Sequence, residues 1–207
     1  MSQIKKVAIE NKILKSAKTI FLKYGFLKAS LREIAKRANI SLSNLYNYYP
    51  DKNALFVAVL QPELADLEKL CHYGRTHRSE EGPFDPLEKK QEQFLFALNY
   101  IYKHRRELNL LLNHSTGSSL EKYPEYLAQE YEQNWDRYFE FLPEKFPNNK
   151  FRKPSSFFLK NMAHFHLTTI SKFLSNDYTL DEMIKSTEEI ATFIWHGGVG
   201  LIHLETK

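Results

Sequence analysis

The chain has 207 residues, is 43% hydrophobic and 26% charged, and carries a formal net charge of +4, a balance that fits a soluble globular protein and excludes a disordered or low-complexity one. No apolar run is long enough for a membrane span, the start Met1-Ser2-Gln3-Ile4-Lys5-Lys6 lacks the apolar block of a secretion signal, and the single Cys71 has no internal partner for a disulfide, so a cytoplasmic protein is expected. Residues 1–56 hold eleven Lys and Arg against Glu10, Glu33 and Asp51, or +8, while the rest holds 18 of the 29 basic and 22 of the 25 acidic residues, or −4; the front end is built to approach a polyanion.

Lys5 to Tyr24 predicts a first helix with Val7, Ile9, Ile13, Leu14, Ala17, Ile20 and Phe21 turned inward, and Gly25 ends it. Ser30-Leu31-Arg32-Glu33 reads as a capping box that opens a second helix, whose inner face is Leu31, Ile34, Ala35 and Ala38. Asn39 stands where the chain must turn sharply and accepts the left-handed conformation; Ser41 caps a third pattern running to Tyr48, with Leu45 as its inward anchor. Two short helices joined by three residues are the grammar of a helix-turn-helix. On the second of them Asn suits adenine, and Ser, Tyr and backbone amides suit phosphate oxygens. Arg32, Tyr46, Tyr48 and Lys52 are therefore candidates for phosphate or groove-edge contacts, Ser43, Asn44 and Asn47 for base-facing roles, and Ser41 and Leu42 complete the DNA-binding set at the helix start.

Pro50 stops that helix and Asp51 caps a fourth, which runs toward Cys71 with a kink or break expected near Gln61, because Pro62 removes a helical hydrogen bond. Residues 72–85 read as a loop, and Asp85-Pro86-Leu87-Glu88 opens a helix to about Lys103. A short helix from Glu107 to His114, a turn at Thr116–Ser119, and a long aromatic helix beginning at Ser119 or Pro124 and closed by Pro143 follow, then a basic loop to Pro154. Segments 155–175 and 180–204 are long and amphipathic, the second capped by Thr179-Leu180-Asp181-Glu182. Their apolar positions exceed what one partner helix needs, which points to a subunit interface where Gly197, Gly198 and Gly200 allow close approach. No strand pattern or repeat occurs, so the class is all-α.

Ile34-Ala35-x-x-Ala38-Asn39-Ile40-Ser41, Leu45-Tyr46-x-Tyr48-Tyr49 and Lys52-x-x-Leu55, preceded by Ile13-Leu14-x-x-Ala17-x-x-x-Phe21-x-x-Tyr24-Gly25-Phe26-x-x-Ala29-Ser30, resemble the DNA-binding domain of the TetR family of transcriptional repressors. Asn39 stands where that family most often has Gly, and Ser43 where a Gly is frequent. The resemblance implies a three-helix DNA-binding domain over 1–56 and a larger helical ligand-binding and dimerisation domain over 57–207. It also implies a homodimer through the two C-terminal helices on a palindromic operator in double-stranded DNA, released by a small-molecule effector. With 14% aromatic residues, an apolar or aromatic effector is expected. Phe94, Leu98, Tyr102, His114, Trp135, Tyr138 and His164 are the candidate lining, each weighed against an ordinary core role.

His164 and His166 are two positions apart and point to opposite sides of a helix, so neither a metal nor another cofactor is expected. The absence of a Gly-rich phosphate loop or a serine elbow argues against an enzyme. Two rivals stay open: a dimeric DNA-binding regulator without a ligand, which a solid second core would favour, and a helical enzyme with a basic appendage, which a cleft of perturbed titratable groups would favour.

Overall fold

The structure, a computed structural model, describes the backbone of residues 3–76 and 87–204 and the side chains of residues 6–71, 95–194, 196, 197 and 201. Among the described residues it is all-α, with nine helices: α1 (Gln3–Lys28), α2 (Leu31–Ala38), α3 (Leu42–Tyr46), α4 (Lys52–Thr76), α5 (Leu87–Lys103), α6 (Arg105–Asn113), α7 (Tyr123–Lys145), α8 (Ser156–Ser175) and α9 (Leu180–Ile202). The chain forms two compact units, residues 1–67 with 106–123, and residues 68–105 with 124–207.

The first unit has one continuous core. Ile13, Ala17, Ile20 and Phe21 of α1, Ile34, Ala35 and Ala38 of α2, Leu45 of α3, and Leu55, Phe56, Val59 and Leu60 of α4 are all buried in it. Phe21, Phe26 and Phe56 meet with centroids 4.9 Å apart for both edge-on pairs, a geometry that favours the aromatic quadrupoles. Burial of each such ring contributes about 1.5–3 kcal/mol. Leu110 and Leu111 of α6 belong to the same core. The helix-turn-helix pattern ends at residue 56, but the compact unit extends to Leu67 and takes in 106–123, because a three-helix layer leaves apolar surface that these leucines cover.

In the second unit α5, α8 and α9 meet at Leu98, Phe173 and Met183, and Phe139 and Leu142 of α7 gather Trp135, Tyr138, Phe146 and Phe151 around them. A reciprocal capping box opens α9: Thr179 N–H and Oγ1 both lie 2.8 Å from Glu182 Oε2, and Glu182 N–H donates to Thr179 Oγ1 at 3.3 Å. These bonds hold the Glu182 carboxyl below its ordinary range.

Several expectations are corrected. The box at Ser30 does not form. Ser30 caps α2 in backbone conformation only, with no side-chain bond, and at this exposed helix start solvent serves the first amides as well. Neither proline ends its helix: α4 continues through exposed Pro62 to Thr76, so 72–76 are helical, and α7 passes Pro143 to Lys145. A proline costs one N–H, and the surrounding turns carry the helix on. Residues 77–86, including the expected cap at Asp85 and Pro86, lie outside the described residues. Lys150–Phe151 pairs antiparallel with His203–Leu204, a two-residue contact that no local pattern announced.

Candidate nucleic-acid interface

The site begins at the α1–α2 corner. Gly25 breaks α1 with φ 69° and ψ 177°, a region essentially restricted to glycine. A Cβ there would lie 3.3 Å from both Cβ and the carbonyl oxygen of His114, whose oxygen accepts the Phe26 N–H at 2.9 Å. Gly117, also at positive φ, fits against Leu27. The turn after α6 thus clasps the corner, and Ser119 N–H donates to Asn53 Oδ1 at the start of α4 at 2.8 Å.

α2 ends on Asn39 at φ 56°, ψ 48°. Asn39 N–H donates to Lys36 O at 3.2 Å and Ile40 N–H to Ala35 O at 3.1 Å, the double bond pattern that stops a helix on a left-handed residue. Ser41 then caps α3 by accepting the Asn44 N–H at 3.1 Å. Leu45 is completely buried, so the opposite side of this short helix is fixed toward solvent. Behind it Tyr49 is buried, and its hydroxyl donates to Glu10 at 3.3 Å. Burial, and then the Glu10 carboxylate, push that phenol up to about 12.

Against this frame the candidate residues separate. Arg32, Ser41, Ser43, Tyr46 and Asn47 are exposed, and Asn44 is half-buried. Leu42 and Tyr48 are half-buried and pack against the core, so they support the helix rather than stand clear of it. The Lys52 ammonium donates to Leu27 O at 3.1 Å and Ala29 O at 3.4 Å and lies 4.5 Å from the centroid of Phe26, which leaves one of its three N–H groups for a phosphate. Lys6, Lys12, Lys15, Lys23, Lys28, Lys36 and Arg37 are exposed and add to the cationic surface of the unit.

The seven ligand candidates are not one set. His114 belongs to the first unit, held against Gly25. Leu98 and Tyr102 sit with Phe173 and Met183, Trp135 and Tyr138 sit around Phe139, His164 is exposed, and the Phe94 side chain lies outside the described residues. His166 is the inward histidine of α8, its ring 5.4 Å from that of Tyr131, and burial holds its imidazole below the ordinary value. Tyr131, Trp135 and Tyr138 continue in a row along α7, with centroids 6.2 and 5.6 Å apart. Sequence reasoning missed His166, although the stripe Leu159, Ala163, His166, Ile170, Phe173 at alternating spacings of four and three carries the signal.

Residues 13–59 match the model of a family described as bacterial regulatory proteins, tetR family. Over 49 residues the chain is 43% identical to the HTH-type transcriptional regulator RutR of Escherichia coli K12, a stretch covering 24% of this chain and 23% of that protein. The chain thus spans about a quarter of the length of that curated relative. In fold it is similar to NalD, the secondary repressor of the MexAB-OprM multidrug efflux pump in Pseudomonas aeruginosa, with TM-score 0.63 and 16% identity over 99% of this chain and 100% of the other. It is also similar to FadR from Bacillus subtilis, a transcriptional regulator solved in complex with stearoyl-CoA, with TM-score 0.58 and 12% identity over 88% and 97%. At these identities the structural likeness establishes the fold. No helix among the described residues is long and apolar enough to cross a membrane.

Proposed function

We propose, on the match of residues 13–59 to the model described as bacterial regulatory proteins, tetR family, that the chain is a member of that family and a sequence-specific DNA-binding repressor in the cytoplasm, released from a palindromic operator by a small-molecule effector. The observation that carries this is α3: a short polar helix anchored by buried Leu45, capped by Ser41 and stopped on both sides, so that Ser43, Tyr46 and Asn47 stand out from a strongly basic unit. Such a helix enters a major groove, where Asn and Ser read base edges and Arg32, Tyr46 and the free N–H of Lys52 meet the backbone.

One helix reads only a few base pairs, and two copies at a fixed spacing reach the affinity a genome demands. Phe157 and Phe193 are each 78% exposed on α8 and α9, with Phe165 and Leu201 also exposed, so these helices are the pairing surface of a homodimer. Nothing lies within 4 Å of a Cβ built on Gly197, which leaves room for a partner helix there. Residues 1–56 act as the DNA-binding domain and 57–207 as the dimerisation and effector-binding domain. The row Tyr131, Trp135 and Tyr138 with His166 at its end supports an apolar or aromatic effector, which acts through different affinities for two dimer geometries. Chains of similar fold include one solved with stearoyl-CoA, so long-chain acyl thioesters head the compounds to screen.

The test is selection of bound fragments from a random duplex pool. Enrichment of a two-fold symmetric sequence by a protein that sediments as a dimer is the expected result; no enrichment, or binding by a monomer to one half-site, overturns it. Phe193→Glu is expected to give a monomer whose operator affinity falls at least 10-fold.

A further inference from the structure

The outer side of α1 carries a row of cations that the fold does not use. Ile13, Ala17, Ile20 and Phe21 are buried in the core, while Lys12, Lys15, Thr19 and Lys23, at spacings of three and four, share one face and are exposed. None of these lysines has an acidic residue three or four positions away in either direction. Lys12 and Lys15 instead stand one turn apart as like charges, which weakens a helix. Lys18, to one side of the row, shows the ordinary arrangement and pairs with Glu107 at 2.7 Å. Lys12 and Lys15 form no ion pair among the described residues.

Charges that cost a helix stability and find no partner within the fold are expected to serve a partner outside it. The row is continuous with α2, which packs against both α1 and α3. Lys23 is near enough to Glu33 and Arg37 for their charges to act on it, and Arg32, Lys36 and Arg37 are exposed. With α3 in a groove, the helix before it crosses the backbone, and the lysines of α1 extend that cationic track past the half-site. Resting on the proposed DNA-binding function, we propose that Lys12, Lys15 and Lys23 form a second, sequence-independent contact, made with the phosphate backbone of the duplex that flanks each half-site. The 11 residues from Lys12 to Lys23 are about 16 Å of helix, the length of about five base pairs. Such a contact adds affinity and lengthens the footprint without reading bases.

The experiment compares two duplexes by fluorescence anisotropy, the selected palindrome alone and the same palindrome with about ten base pairs of arbitrary sequence on each side. At about 50 mM salt the wild-type protein is expected to bind the extended duplex about 10-fold more tightly, with a steeper fall of log K against log salt. The triple variant Lys12→Gln, Lys15→Gln, Lys23→Gln loses that gain and the extra slope, keeps its base preferences and its affinity for the trimmed duplex, and has a Tm no lower than wild type. The triple Lys→Arg variant at the same positions keeps the gain. No gain from the flanks in the wild type, a gain that survives in the Gln variant, or an equal loss by that variant on both duplexes would overturn the assignment while leaving DNA binding intact. Capture of a second, separately labelled duplex by the wild-type complex would overturn it in favour of a contact with another DNA segment. A wild type that binds neither duplex would instead overturn the function on which the assignment rests.

Discussion

The two compact units solve the same packing problem in different ways. In the first, residues from α1, α2, α3, α4 and α6 share one core, and Phe21, Ile13, Ile34, Leu45, Leu55, Phe56, Leu60 and Leu111 are fully buried in it. Among the described residues of the second, buried side chains include a group around Leu98 and another around Phe139, while Phe96, Phe157 and Phe193 are exposed. A groove-reading helix must be held to within a fraction of an ångström, and one continuous core provides that. The exposed apolar surface of the second unit suits the proposed pairing with a second copy.

The largest expected effect sets the same substitution in both settings. Leu111→Ala leaves a void in a dense core and is expected to cost about 4–5 kcal/mol, whereas Leu98→Ala, beside surroundings better able to collapse, costs about 2 kcal/mol. Native-state hydrogen exchange of the helices in each unit measures both, and equal costs would break the comparison. Next comes Gly25→Ala, which forces a side chain into a glycine-only conformation against His114. It is expected to cost about 1–3 kcal/mol and to lower operator affinity without altering exchange in α8. Thr179→Ala removes the box that opens α9 and is expected to lower Tm by about 2–4 °C with DNA affinity per dimer unchanged.

The smallest effect is on pH. The folded state depresses the His166 value below the ordinary one near 6.5, so the neutral ring is favoured. The stability it confers is fully present above the unfolded value and is lost as pH falls through the folded one. Thermal unfolding is expected to show the second unit weakening below about pH 6.5, and His166→Phe to flatten that dependence. An unaltered profile in His166→Phe would remove the histidine from the account.

Several local rules hold, although the box at Ser30 and the stops at Pro62 and Pro143 do not. Asn39 turns left-handed, Ser41 accepts an amide, Thr179 and Glu182 exchange bonds, and Gly25 breaks α1, each within four residues of its cause. Other differences arise where distant residues decide. Leu110 and Leu111 join the unit that carries α3 through tertiary packing that no window of sequence contains, and the pairing of Phe151 with His203 spans the end of the chain in the same way. The pattern makes Lys52 a candidate phosphate contact but does not announce its two carbonyl partners, which lie 25 and 23 residues away. The histidine on α8 is a different case, because the apolar stripe through Ala163 and His166 was legible and only the helix phase had to be counted.

The central claim is that α3 and the basic unit carrying it read a duplex by sequence. Fluorescence anisotropy of the wild-type protein on the selected operator and on a scrambled duplex of equal length, between about 50 and 200 mM salt, tests it most directly. The expected result is affinity for the operator at least about 10³-fold tighter than for the scrambled duplex, with both falling linearly in log salt. Equal affinity for the two duplexes, or no binding even at the lowest salt, would contradict it.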